Sequence, residues 1–104
     1  MSQQAFIDRY ESIHSKLGEK YLKGYASHYM RRYIRPAGAA GASTAKLPAD
    51  VLMEIWFPTS AEMAACMESL AEPSVQREIV ADEEQMFDRS KMVSFIVDEH
   101  ASLL

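Results

Sequence analysis

Cysteine is almost missing from this sequence. Cys66 is the only one, so no internal disulfide and no multi-cysteine metal cage can form. That usage makes a reducing, cytoplasmic location the default expectation. No apolar run approaches the roughly 20 residues of a membrane span, and the opening residues do not read as a signal peptide. Positive charge is also in short supply. Eleven Lys and Arg stand against 15 Asp and Glu, a net charge of −4, which removes any global pull toward nucleic acid or an anionic membrane. No internal repeat and no low-complexity tail is present.

What remains is ordinary globular material. The 104 residues fit one domain, 1–104, and 48% of them are apolar. A domain this small folds around a modest core, so a buried dimer face would add stability.

A first helix is expected from Ser2, whose hydroxyl can accept a free backbone N–H. Phe6, Tyr10, Ile13, His14, Leu17 and Tyr21 recur at spacings of three and four and make one apolar stripe. Asp8, Arg9, Glu11, Ser12, Ser15 and Lys16 fall off it. Gly18 and Gly24 are read as loosening the end of this region. Residues 28–35, HYMRRYIR, read as a strand that ends at Pro36. Tyr29, Arg31, Tyr33 and Arg35 share one face of it, and His28, Met30, Arg32 and Ile34 the other.

Residues 37–50 hold small residues, two glycines and a proline, and read as a flexible loop, either a surface linker or a lid over a pocket. Residues 51–57, VLMEIWF, form a second strand with Val51, Met53, Ile55 and Phe57 on an apolar face and Leu52, Glu54 and Trp56 on a mixed one. Both faces carry large groups, which predicts cover on both sides. Thr59 and Glu62 make a capping box for a second helix, and Pro73 starts a third. Residues 92–97, MVSFIV, read as a last strand, so the expected order is α-β-β-α-α-β.

Four stretches resemble the EthD family, in the family's order and over nearly the whole chain. FIDRYESIHSKL carries Phe6, Tyr10 and His14 and resembles that family's first-helix signature. RRYIR places Tyr33 near a strand end, MEIWF resembles E-x-W-F, and DEEQMFDRSKMVSFIVDE resembles D-E-x-x-F-x-D-R-S leading into a last strand. The resemblance implies an α+β fold: a ferredoxin-like unit with helices on the outer face of an antiparallel sheet, two copies forming a dimeric α+β barrel. It also implies a cleft for small hydroxylated aromatic, lactone or polyketide-like ligands. One departure stands out. The family begins with a strand before the first helix, and the chain reads Met1–Ser2 where the family reads M-S, so sequence upstream of Met1 is expected to belong to the domain.

His14 sits in mid-stripe and can move protons on an enol or phenol; the alternative is a buried histidine bonded to a neighbour. Tyr10 lies one turn before it and Tyr33 can face both from the strand, either orienting a ligand oxygen or packing as aromatics. Phe6 and Ile55 would line such a cleft. Arg31 can meet a ligand carboxylate or pair with an acidic neighbour. Glu54 and Trp56 are expected at the dimer joint. Asp82 and Asp88 read as helix-end and turn formers, residues 82–84 as a solvated acidic run, and Cys66 as core. His28 and His100 have no evident partners, so no metal site is assigned. Two functions follow. One is a cofactor-independent isomerase, cyclase, dehydratase or lyase using His14 and Tyr33. The other is a non-catalytic accessory or ligand-binding protein of a catabolic pathway. Nucleic-acid binding is a weak third.

Overall fold

The computed structural model describes residues 1–37 and 47–104. The expected flexible loop therefore lies, over residues 38–46, outside the described part.

Helix α1 (Gln3–Arg9) opens at Ser2, whose Oγ accepts the Ala5 N–H at 3.1 Å. It then widens into a π-helical turn over Tyr10–His14 and resumes as α2 (Ser15–Leu22). The Ser15 N–H bonds the Tyr10 carbonyl, five residues back. A wider turn of this kind rotates everything after it relative to a regular helix. The stripe expected from a 3.6-residue period therefore breaks. Ile13 swings outward to 43% exposure, while His14 and Ser15 are buried. Two hydroxyls also bond backward, Ser12 to the Asp8 carbonyl and Ser15 to the Glu11 carbonyl, each at 2.7 Å.

Gly18 does not loosen the helix. A Cβ there would lie 2.6 Å from the Tyr29 ring, so glycine is what lets the strand approach. Gly24 is the true terminator: its φ of +91° is left-handed, and the Tyr25 and Ala26 amides fold back onto the Leu22 carbonyl.

Strands β1 (His28–Tyr33) and β2 (Val51–Trp56) pair antiparallel, from His28 opposite Trp56 to Tyr33 opposite Val51. Tyr29, Arg31 and Tyr33 share a face with Ile55, Met53 and Val51, and that face looks toward the first helix. The opposite face presents Met30, Leu52 and Trp56, each close to two-fifths exposed, beside an Arg32–Glu54 ion pair. The cover expected on that second face is not supplied by the described residues.

Helix α3 (Ser60–Leu70) is capped by Thr59, whose Oγ1 accepts the Glu62 N–H at 3.1 Å. Helix α4 (Pro73–Glu83) begins on its proline, where the missing N–H costs nothing. α3 packs on α2, and α4 on the π turn. The sealed apolar core is small: Phe6, Tyr10, Leu22 and Cys66.

The last strand is not formed. After a short 3₁₀ turn (Arg89–Lys91), residues 92–97 join no ladder among the described residues. Val93, Phe95 and Ile96 are 79%, 66% and 79% exposed. β-propensity expresses fit to a pleated, half-buried surface, so without a neighbouring strand it does not by itself make one. No helix of the described residues is long and apolar enough to cross a membrane.

Candidate functional site

The π turn contributes Tyr10 and His14 to a cluster of rings that also draws on α1, β1 and the segment after α4. Phe6, Tyr10, His14, Tyr33 and Phe87 pack edge to face. Tyr10 touches His14 at 5.0 Å, Tyr33 at 5.9 Å and Phe87 at 5.9 Å between centroids. Phe87 also reaches Phe6 and His14, each at 5.7 Å. Edge-on contacts of this kind hold rings in fixed orientations.

Two polar networks flank these rings. In the first, His14 Nδ1 lies 2.8 Å from Asp82 Oδ2, and Arg9 Nη2 lies 2.6 Å from Asp82 Oδ1. Asp82 is 8% exposed and His14 equally so. In the second, the Glu11 carboxylate accepts from Arg31 Nε at 3.0 Å and Nη2 at 2.7 Å, and from the Tyr33 hydroxyl at 2.5 Å. The Arg31 guanidinium also lies over the Tyr29 ring, 4.8 Å from its centroid.

These surroundings fix several protonation states. Burial, reinforced by the neighbouring Tyr29 phenol, pushes the Tyr10 hydroxyl well above its ordinary range. Burial and then the hydrogen bond to Glu11 do the same for Tyr33. The Arg31 hydrogen bonds hold the Glu11 carboxyl down at about 2. Both phenols therefore stay protonated at neutral pH and can only donate a hydrogen bond or accept one.

The expected site residues thus meet in part. Phe6, Tyr10, His14 and Tyr33 share one aromatic cluster. The Tyr33 hydroxyl turns to Glu11, and Arg31 takes the acidic-neighbour alternative. Ile55 lies on the helix-facing side of β2, opposite Tyr29. Two shallow depressions open nearby. One, of about 230 Å³, is lined by Glu11, Tyr29, Met30, Arg31 and Tyr33. The other, of about 270 Å³, runs from Glu19 and Leu22 to His28 and Tyr29. His14 lines neither.

Three polar participants escaped the sequence reading. Glu11 and Arg9 sit off the 3.6-residue stripe, and Asp82 lies 68 residues from His14. Asp82 does end a helix as expected, but it and Glu83 are buried rather than solvated, and only Glu84 of that run is exposed. Asp88 is the turn former it was expected to be, accepting the Ser90 N–H at 3.1 Å.

Helices on one face of an antiparallel sheet, with aromatic and histidine side chains gathered between the layers, define an α+β protein. Within that class the chain belongs to the EthD family: the EthD domain model matches residues 1–90. Neither the curated proteins nor the solved structures returned a match.

Proposed function

We propose that this chain forms a single domain, pairs through its open sheet face as a dimeric α+β barrel, and handles a small aromatic, lactone or polyketide-like molecule beside its first helix. His14 is the acid–base group of a cofactor-independent isomerase, cyclase, dehydratase or lyase. Tyr33 assists it as a hydrogen-bond donor once its hydroxyl turns from Glu11 to the ligand oxygen. Tyr10, Phe6, Arg31 and Ile55 contact the ligand. A cytoplasmic location goes with this reading. The observation that carries it is the buried imidazole held by a carboxylate and ringed by aromatics, an arrangement able to take a proton from a carbon acid or hydroxyl and return it elsewhere.

The test pairs binding with turnover, using a panel of small hydroxylated aromatics and lactones. His14→Asn should lower turnover by about 10²–10⁴ while leaving the protein folded. Tyr33→Phe should cost less, since it removes one donor and little volume. Undiminished turnover in folded His14→Asn refutes the catalytic role. The joint is tested separately. Leu52→Glu and Trp56→Arg should convert a dimer into a monomer by light scattering, and a wild-type monomer at micromolar concentration refutes the pairing.

The non-catalytic reading draws on one specific observation: the depressions near the site are shallow and His14 lines neither. Saturable binding of a panel member without any turnover would favour a ligand-binding accessory of a catabolic pathway.

A further inference from the structure

We propose that Asp82 is a positioning residue that commits His14 to one tautomer, with the proton on Nδ1 and Nε2 as the working nitrogen. Arg9 serves as the counter-cation that holds Asp82 in place. The assignment deepens the acid–base reading of His14 and rests on it for its catalytic meaning, but not for its geometry.

A regular α-helix sets residues five apart about 140° around its axis, on different faces. Arg9 and His14 are five apart, yet both reach the same carboxylate. The π turn between them makes this possible, because its i to i+5 bonding stacks residues five apart nearly in line. The helix thus gives up regular geometry at the place where a cation and an imidazole must converge on one group. π turns of this kind concentrate at functional sites.

The target comes from the far end of the chain. Asp82 is in the last turn of α4 and is 8% exposed. A carboxylate so removed from water needs both oxygens satisfied. Arg9 occupies Oδ1 at 2.6 Å and His14 occupies Oδ2 at 2.8 Å. A carboxylate facing a guanidinium accepts and cannot donate, so the hydrogen between His14 and Asp82 belongs to the imidazole. Neutral imidazole has one ring proton. With that proton on Nδ1, Nε2 is left bare and ready to accept another. When it accepts, the imidazolium forms against a carboxylate already in contact, and no group has to reorient. The edge-on packing of Tyr10 and Phe87 resists rotation of the ring.

The test reads the tautomer directly, in the full chain and with no ligand. Two-bond and three-bond proton–nitrogen correlation spectra of ¹⁵N-histidine protein separate the two neutral forms, and His14→Asn assigns the signals. Wild-type His14 should show the Nδ1–H form at a pH where the ring is neutral. In Asp82→Asn the new amide can donate to Nδ1, so the signal should shift to the Nε2–H form or to a mixture. Arg9→Gln removes the cation that holds Asp82, so some Nε2–H form should appear beside the Nδ1–H form; it is the variant to use if Asp82→Asn does not fold, and a wild-type tautomer in folded Arg9→Gln overturns the role given to Arg9. A wild-type Nε2–H form overturns the assignment, whatever His14→Asn does to turnover, and so does an unchanged tautomer in folded Asp82→Asn. An Nδ1–H form together with full turnover in His14→Asn upholds the Asp82 geometry and sinks the catalytic reading instead.

Discussion

Replacing Glu11 with Gln keeps the shape of the side chain but removes the charge that Arg31 and Tyr33 share. The carboxylate accepts two hydrogen bonds from Arg31 and one from Tyr33. A bond to a charged group contributes about 1.5–3 kcal/mol where water is excluded. Water is not excluded here: the Glu11 side chain is 41% exposed and that of Arg31 19%. Screening therefore brings the whole network down to about 1–2 kcal/mol. In a domain of this size each kcal/mol moves Tm by about 4–8 °C. The loss should also depend on pH. Arg31 holds the Glu11 carboxyl at about 2, against an ordinary 4.5. The folded value is the lower one, so the stabilisation is fully present above the unfolded value and fades as pH falls toward the folded one. Urea unfolding followed by far-UV circular dichroism should thus show wild type ahead of Glu11→Gln at about pH 7, with the gap narrowed at about pH 3. No gap at neutral pH, or the same gap at both, would refute the reading of this network.

Three further expectations follow from packing. Gly18→Ala should lower Tm although alanine is the better helix former by about 1 kcal/mol, because the new methyl meets the Tyr29 ring at 2.6 Å; an equal or higher Tm would mean the strand does not sit that close. Tyr10, Tyr29 and Tyr33 are all held above the ordinary phenol range, chiefly by burial, so in an alkaline absorbance titration these three of the five tyrosines should ionise at higher pH than an ordinary phenol; reversible ionisation of all five near the usual phenol value would contradict this. Cys66 is 0% exposed and its thiol is pushed up by burial, so an aromatic disulfide reagent should label it only as fast as the fold opens, and immediate labelling of native protein would show that α3 does not seal it.

Local chemistry made much of the fold legible. Ser2, Thr59 and Pro73 stand at helix starts, and capping is decided by residues within three positions of one another. Alternation placed Tyr29, Arg31 and Tyr33 on one face of β1, because a strand's period of two holds in any surroundings. Residues 92–97 had the composition of a strand, but a ladder is a property of two segments, and no second one lies beside them among the described residues.

The candidate site divides in the same way. Phe6, Tyr10 and His14 announce themselves at regular helical spacing, so the sequence alone brings them together. Arg9 looked solvated because a 3.6-residue period puts it off the stripe, and only the π turn returns it to the side of His14. Asp82 carries no local signal that it belongs with either. Its partnership depends on where α4 comes to rest against the first helix, and on a buried carboxylate taking the cation and the imidazole that packing puts within reach. The sequence by itself determined which residue types were available and which helix and strand faces they share. Tertiary structure decided which charges meet, because burial sets the cost of leaving a charge unpaired, and burial is fixed by how the elements pack rather than by any one of them.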